Sequence, residues 1–305
     1  MNKIKVINSD LEISEVALGC MRIADMEVKE VAKLIQTAVD QGINFFDHAD
    51  IYGGGKSEEV FAKALATTNI SRKDILIQSK CGIRNGYFDF SKDHIIKAVD
   101  GILQRLETDY LDALLLHRPD ALVEPEEVAM AFDLLYTSGK VRNFGVSNQN
   151  PMQIELLKKY VKQPLIFDQL QLSIMRTGMI DAGINVNMKV QNSVDHDGGI
   201  LDYSRLNNMT IQAWSPFQYG FFEGIFLNND KFPELNNVIN RLAGQYEVTN
   251  SAIAVNWILR HPAKIQTIIG TTNVQRVKDM SKASDFRITR EEWYEIYRAA
   301  GNLLP

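Results

Sequence analysis

Eight short runs rich in Val, Ile, Leu and Phe alternate along this chain with longer stretches of helical period. Such alternation is typical of strand–helix–strand units that build a parallel sheet. We predict strands at 16–19, 45–47, 75–79, 113–117, 143–146, 167–170, 211–214 and 267–269. The helical patterns lie at 28–41, 57–66, 92–106, 126–138, 151–160, 233–246, 251–259 and 273–283. Eight strand–helix pairs without a Pro/Gly-rich linker favour an α/β fold, one closed (β/α)8 TIM barrel forming a single domain over residues 1–305.

Two regions lie outside this alternation of strands and helices: an N-terminal turn and one long polar segment. The turn residues Asn8, Ser9 and Asp10 predict a β-hairpin ahead of the first barrel strand. Residues 176–203 are rich in Asn, Asp, Gly and Met, and we expect a long loop there with one helical piece. Two doubly wound domains are the alternative fold, but the glycine triplet at 53–55 lacks the G-x-G-x-x-G spacing of a dinucleotide-binding turn.

Composition narrows the function to small-molecule chemistry. The 33 Lys and Arg against 38 Asp and Glu give a net charge of -5 without a basic block, which argues against nucleic acid or an anionic membrane as partner. No apolar run reaches the roughly 18 residues of a membrane span, and no signal-peptide pattern opens the sequence, so we expect a cytoplasmic protein. Cys20 and Cys81 lack metal-ligand spacing, and we interpret both as reduced thiols in a protein without a metal site.

Four ionisable residues lie at or just after the ends of three predicted strands. Asp47 ends the second strand, Tyr52 follows it, Lys80 ends the third and His117 ends the fourth. In a parallel barrel these positions face a shared mouth. A lysine beside a tyrosine lowers the tyrosine pKa and makes it a better acid, while Asp47 would pair with Lys80 and a neutral His117 would donate to a carbonyl oxygen. Each residue alone is commonly a solvated charge or a barrel cap, but together they predict a proton-donating site for carbonyl chemistry.

The segment 42–53, Gly-Ile-Asn-Phe-Phe-Asp-His-Ala-Asp-Ile-Tyr-Gly, followed by Ser57 and Glu58, resembles the signature of the aldo-keto reductase superfamily. The similarity extends over nearly the full chain and is greatest to the bacterial YdhF-type oxidoreductases. It implies the catalytic tetrad Asp47, Tyr52, Lys80 and His117, with Tyr52 as the general acid. It also implies a nicotinamide cofactor.

A phosphate site is indicated where the eighth strand ends. Gly270, Thr271 and Thr272 open a helix at the place where barrels commonly bind phosphate. Arg276 follows on its first turn, and a guanidinium there can hold the 2′-phosphate of NADPH, as the matching family residue does. We therefore predict NADPH over NADH, although a solvated Arg276 is the alternative.

The resemblance extends the cofactor site to further positions. Ser147, Asn148 and Gln169 would hold the carboxamide, and Trp214 would stack on the nicotinamide ring. The remaining residues implied are Gly19, Met21, Ser215, Pro216, Phe217, Gly220 and Asp279. The loop after strand seven departs from the usual pattern, because phenylalanine stands where leucine is common, and Met280 replaces a common asparagine after Asp279.

The function implied is NADPH-dependent reduction of an aldehyde or ketone to an alcohol. Aromatic and soft apolar residues near the predicted mouth are consistent with small aromatic or aliphatic carbonyl substrates. A cofactor-binding regulatory subunit and a barrel isomerase or lyase without nicotinamide are the alternatives. The sequence does not define the natural substrate, the physiological direction or the oligomeric state.

Overall fold

An antiparallel hairpin opens the computed structural model, which describes residues 1–304. Strand β1 (Lys3–Lys5) pairs with β2 (Glu12–Ser14), with Ile4 opposite Ile13. The connecting turn contains Asn8 at a φ of 61°, a backbone conformation that asparagine tolerates. The predicted N-terminal hairpin is therefore confirmed.

Eight parallel strands follow and close into a barrel. They are β3 (Val16–Gly19), β4 (Phe45–Asp47), β5 (Leu76–Cys81), β6 (Ala113–Leu116), β7 (Phe144–Ser147), β8 (Leu165–Gln171), β9 (Thr210–Trp214) and β10 (Gln266–Ile269). Each pairs with its neighbour in sequence, and β10 pairs with β3 to complete the ring. This confirms the predicted (β/α)8 barrel and excludes two doubly wound sheets. Strands β3 and β4 have the predicted bounds, whereas each of β5 to β10 begins or ends one or two residues away from them. Lys80 therefore lies one residue before the end of β5, and His117 follows β6 rather than ending it.

Helices connect the strands and cover the barrel. They are α1 (Val28–Asp40), α2 (Lys56–Ala66), α3 (Lys92–Leu106), α4 (Pro125–Thr137), α5 (Pro151–Lys158), α6 (Gly178–Ile184), α7 (Ile200–Leu206), α8 (Pro233–Gln245), α9 (Asn250–Leu259), α10 (Val274–Ser281) and α11 (Arg290–Ala299). Proline occupies the first turn of α4, α5 and α8, where no backbone N–H partner is needed. In α5 the side chains of Asn150 and Gln153 form a reciprocal capping box.

One prediction about secondary structure was wrong, and one helix was missed. The segment 176–203 holds two α-helices, α6 and the start of α7, with a 3-10 turn (Gln191–Ser193) between them, instead of one helical piece. The C-terminal helix α11 was not predicted at all. Its start is marked by a capping box between Thr289 and Glu292, and its Trp293 ring stacks on Trp257 of α9 at 4.7 Å. Packing against α9 stabilises a helix whose own sequence is mostly polar.

Apolar side chains form two separate layers, one between barrel and helices and one inside the barrel. The inner layer includes Phe45, Leu115 and Phe167 from the strands, together with Ile4 and Ile13 from the hairpin. The hairpin therefore closes the end of the barrel at which the strands begin. The opposite end, where the strands finish, is left for a site.

No helix within residues 1–304 is long and apolar enough to cross a bilayer.

Candidate active site

A cavity of about 600 Å³ lies at the carboxyl ends of the strands, a size typical of small-molecule sites. Most of the predicted residues line it. They are Gly19, Met21, Asp47, Tyr52, His117, Ser147, Asn148, Gln169, Trp214, Ser215, Pro216, Phe217, Gly270, Thr271, Thr272 and Arg276. Lys80 lies behind this wall, and Gly220 and Asp279 lie outside the lining.

Lys80 is a fully buried cation whose three N–H donors each have a partner. Its Nζ lies 2.8 Å from the Asp47 carboxylate, 2.7 Å from the backbone oxygen of His48 and 3.2 Å from Tyr52 Oη. Burial disfavours the ammonium, but the negative charge of Asp47 and the contact with Tyr52 outweigh it and raise the pKa of Lys80. Lys80 therefore stays charged and holds Tyr52 in place.

Tyr52 is positioned by a turn that only glycines adopt easily. It begins the 3-10 turn Tyr52–Gly55, in which Gly53, Gly54 and Gly55 have φ values of 58°, 66° and 95°. Residues 48–51 link β4 to this turn, which leads directly into α2. The phenol ring is thereby brought over Lys80, with Nζ 5.0 Å from the ring centroid.

The structure corrects the expected direction of the Tyr52 pKa. Burial raises this pKa, and the Lys80 charge offsets the effect only in part. The sequence showed the lysine but not how deeply the phenol is buried, so it predicted the opposite net shift. Tyr52 is consequently protonated at neutral pH, the state that a proton donor needs.

His117 stands beside Tyr52 as a neutral imidazole. The two ring centroids are 6.1 Å apart at an interplanar angle of 81°. Burial, with smaller contributions from the charges of Lys80 and Arg118, lowers the pKa of His117 well below its usual range. A neutral imidazole carries one N–H and can donate it to a bound group.

Behind Asp47, a chain of glutamine amides crosses the barrel interior. Gln78 and Gln169 donate to Asp47 Oδ1 at 2.7 and 2.9 Å, and both also donate to Gln212 Oε1. Gln212 donates to Gln266, which donates to the backbone oxygen of Ser14. Because a carboxylate only accepts hydrogen bonds, Asp47 sets the direction of every amide in the chain. The sequence reasoning missed this role of Gln78, Gln212 and Gln266, although one glutamine in each of several apolar strands was visible.

Polar groups beside the tetrad are already bonded to one another. Asn148 donates to Ser147 Oγ at 2.7 Å and accepts from Trp214 Nε1 at 3.2 Å. Ser147 Oγ in turn donates to the backbone oxygen of Gln169. Asn148 has a φ of 56°, which directs its side chain toward this cluster. The orientation of the Trp214 indole is therefore fixed before anything binds.

The opposite part of the cavity is formed by the start of α10. Asn273 caps this helix by accepting from the backbone N–H groups of Gln275 and Arg276. The exposed Arg276 side chain makes no ion pair within residues 1–304. A side chain at Gly270 would meet no atom of residues 1–304 within 4 Å, so the backbone there borders open space. This geometry leaves room for a ligand beside a cation.

Several cavity residues were not among the predicted site residues. Arg118 follows His117 and lines the cavity, with its guanidinium carbon 5.8 Å from the ring centroid of the exposed Phe221. The exposed Phe222 packs against Phe221, with ring centroids 4.8 Å apart. The Phe222 ring is nearly parallel to the Trp214 indole, with centroids 6.3 Å apart. Arg118 was visible in the sequence as the residue after a predicted catalytic histidine.

The fold and this buried Asp-Lys-Tyr cluster define a (β/α)8-barrel oxidoreductase with its site at the carboxyl ends of the strands. A sequence model of the Aldo/keto reductase family matches residues 15–300. The chain belongs to the Aldo/keto reductase family.

Similar proteins cover almost the whole chain. The oxidoreductase YdhF of Escherichia coli is 32% identical over 98% of both chains. A 6-dehydroglucose reductase of Agrobacterium fabrum is 32% identical over 96% of both chains. Among solved structures, an aldo-keto reductase from Klebsiella pneumoniae in complex with NADPH shares the fold, with a TM-score of 0.79 at 21% identity, covering 100% of this chain and 97% of that one.

Proposed function

We propose that this protein reduces aldehydes or ketones to alcohols with NADPH and that Tyr52 is the general acid. The observation that carries the proposal is the hydrogen bonding of Lys80. An ammonium has no lone pair, so Lys80 can only donate to Tyr52 Oη. The phenolic proton must then point away from Lys80. It is available to a carbonyl oxygen in the cavity that Tyr52 lines.

The neighbouring groups support transfer of that proton. As negative charge develops on the carbonyl oxygen, the ammonium of Lys80 stabilises the phenolate that Tyr52 becomes. The Asp47 carboxylate and the glutamine chain keep Lys80 in place. The neutral His117 imidazole would donate a second hydrogen bond to the same oxygen and orient the carbonyl group.

The cavity residues are suited to NADPH. The cofactor, when bound, supplies the hydride for the carbonyl carbon. The Trp214 indole, which Asn148 orients and which also contacts Phe222 and Arg118, would lie against the nicotinamide ring. Ser147, Asn148 and the Gln169 amide oxygen are polar partners for its carboxamide. Arg276 would bind the 2′-phosphate beside the open space at Gly270.

The reductase proposal is tested with Tyr52→Phe, which removes the donated proton and keeps the ring. We expect kcat for an aldehyde such as 4-nitrobenzaldehyde to fall by about 100-fold or more, with NADPH oxidation as the readout. Tyr87→Phe is the matched control, because Tyr87 is exposed and contacts Arg84 rather than the tetrad. Wild-type turnover in Tyr52→Phe would refute the role of Tyr52.

The cofactor proposal is tested by titrating the protein with NADPH and NADH while following tryptophan fluorescence. We expect tight NADPH binding that falls toward the NADH affinity in Arg276→Ala. Lys278→Ala is the control, since it removes an exposed charge from the same helix outside the cavity lining. No binding of either nucleotide would contradict the proposed function, whereas tight NADPH binding without turnover would favour the regulatory-subunit alternative.

A further inference from the structure

Arg118 is a partly buried cation without an anionic partner among residues 1–304. Within residues 1–304, the partly buried Arg72 and Arg105 each form an ion pair with a carboxylate at 2.8 Å, but Arg118 forms none. Its neighbours are aromatic. The guanidinium carbon lies 5.6 Å from the Trp214 ring centroid and 5.8 Å from that of Phe221. Contacts of this kind hold a guanidinium through its charge and consume none of its N–H donors.

The cavity wall has an excess of positive charge. It includes Arg22, Arg118 and Arg276, and its one acidic residue is Asp47, which is already paired with Lys80. Arg22 and Arg276 belong to the Gly270 side of the cavity, where Arg22 Nη1 lies 3.4 Å from the Gly270 oxygen. Arg118 instead follows His117 at the tetrad side. A ligand that reaches the tetrad therefore meets Arg118 and not the other two arginines.

We propose that Arg118 binds an oxyanion carried by the carbonyl substrate, a carboxylate or a phosphate, while the carbonyl group lies at Tyr52. This inference rests on the proposed reductase function and names its substrate class. A planar guanidinium presents paired N–H donors that match the two oxygens of either anion.

The environment of Arg118 supports this assignment. Burial lowers the pKa of Arg118 and so disfavours its charge, and Tyr52 would offset that effect only when ionised. A bound anion would stabilise the charge and complete the N–H hydrogen bonding at once. The exposed Phe221 ring beside Arg118, with Phe222 packed against Phe221, would shield the ion pair from water and strengthen it.

The experiment compares matched charged and neutral aldehydes with the wild-type protein and NADPH. One arm pairs 4-carboxybenzaldehyde with its methyl ester, and the other pairs glyceraldehyde 3-phosphate with glyceraldehyde. In one of the two arms, we expect kcat/KM for the charged aldehyde to be at least about tenfold higher than for its neutral counterpart. The arm that shows this preference identifies carboxylate or phosphate as the bound group. A ratio below two in both arms overturns the inference, even if Arg118 variants fail to fold.

Variants then assign the preference to Arg118. Arg118→Met is expected to reduce the charged-to-neutral ratio of kcat/KM at least tenfold, and Arg118→Lys to reduce it less because the charge remains. Arg22→Met removes the same charge from the same cavity and should leave the ratio within twofold of wild type. Equal losses for both members of a pair in Arg118→Met would overturn the inference, because Arg118 would then act on Tyr52 and not on the anion.

The inference and the proposed function fail in different ways. If the neutral aldehydes are reduced and the charged ones gain nothing, only the role of Arg118 is wrong. If the protein reduces none of the four aldehydes, the reductase function is wrong and the oxyanion site is overturned with it.

Discussion

The coupling free energy between Lys80 and Asp47, a buried ion pair, should be much larger than that of a surface ion pair of equal length. The Lys80 side chain is 0% exposed and that of Asp47 is 4% exposed. Lys80→Met leaves the carboxylate without its cation, and Asp47→Asn leaves the ammonium beside an uncharged amide. Removing one member of a buried pair costs about 3–5 kcal/mol, because the remaining charge is neither hydrated nor neutralised.

The structure places the single losses near the lower end of that range. Asp47 keeps the amide donors of Gln78 and Gln169 when Lys80 is replaced, and Lys80 keeps the His48 oxygen when Asp47 is replaced. The double variant Asp47→Asn, Lys80→Met buries no charge at this position. We therefore expect its loss of unfolding free energy to be about 2 kcal/mol smaller than the sum of the two single losses.

Urea denaturation followed by tryptophan fluorescence measures the four unfolding free energies of this cycle. The matched control is the pair Lys56–Asp25, which has the same length to within 0.1 Å (2.9 against 2.8 Å) but side chains 56% and 93% exposed. Its cycle should give a coupling of less than about 1 kcal/mol. Additivity within about 0.5 kcal/mol at Lys80 and Asp47 would refute the reasoning, since the ammonium would not be held by the carboxylate.

Three further predictions concern groups around the site. Gln212→Leu should lower the unfolding free energy measured in urea by about 1–3 kcal/mol, because the buried Gln266 Oε1 loses the hydrogen bond that Gln212 donates. The control Gln36→Leu, in α1 and away from the site, should change the unfolding free energy by less than about 0.5 kcal/mol. Burial and the nearby Glu58 raise the pKa of Asp50 from 3.8 to about 7, so the folded state holds this proton more tightly and its stability falls as the pH rises between these values. The unfolding free energy of Asp50→Asn minus that of wild type should therefore increase from pH 4 to pH 7, and a constant difference would contradict the shift. Burial raises the pKa of the Cys20 and Cys81 thiols, so DTNB should label neither cysteine in the native protein and both after denaturation. Rapid labelling of the native protein would contradict this prediction, because it would show that the thiols are accessible.

The sequence predicted the barrel well because its signals are local. Each strand is a short apolar run and each helix carries its own period, so their alternation is readable without long-range information. Helix α11 escaped prediction because its stability comes from Trp293 stacking on Trp257, 36 residues earlier in the chain. The second helix in residues 176–203 is a short element, and its hydrophobic period covers too few turns to stand out.

The candidate site likewise contains residues that local sequence patterns reveal and residues that they do not. Asp47, Tyr52, Lys80 and His117 could be selected because each lies at or near a strand end, a position defined by local pattern. The net direction of the Tyr52 pKa could not, because it depends on how much water the surrounding strands exclude. The roles of the glutamine chain and of Arg118 could not be predicted for a related reason, because they depend on which partners the closed barrel provides. Asp47 imposes a donor direction on four glutamines of the interior. Arg118, by contrast, forms no ion pair within residues 1–304 and has aromatic rings beside its guanidinium, and this is what points to a ligand at Arg118.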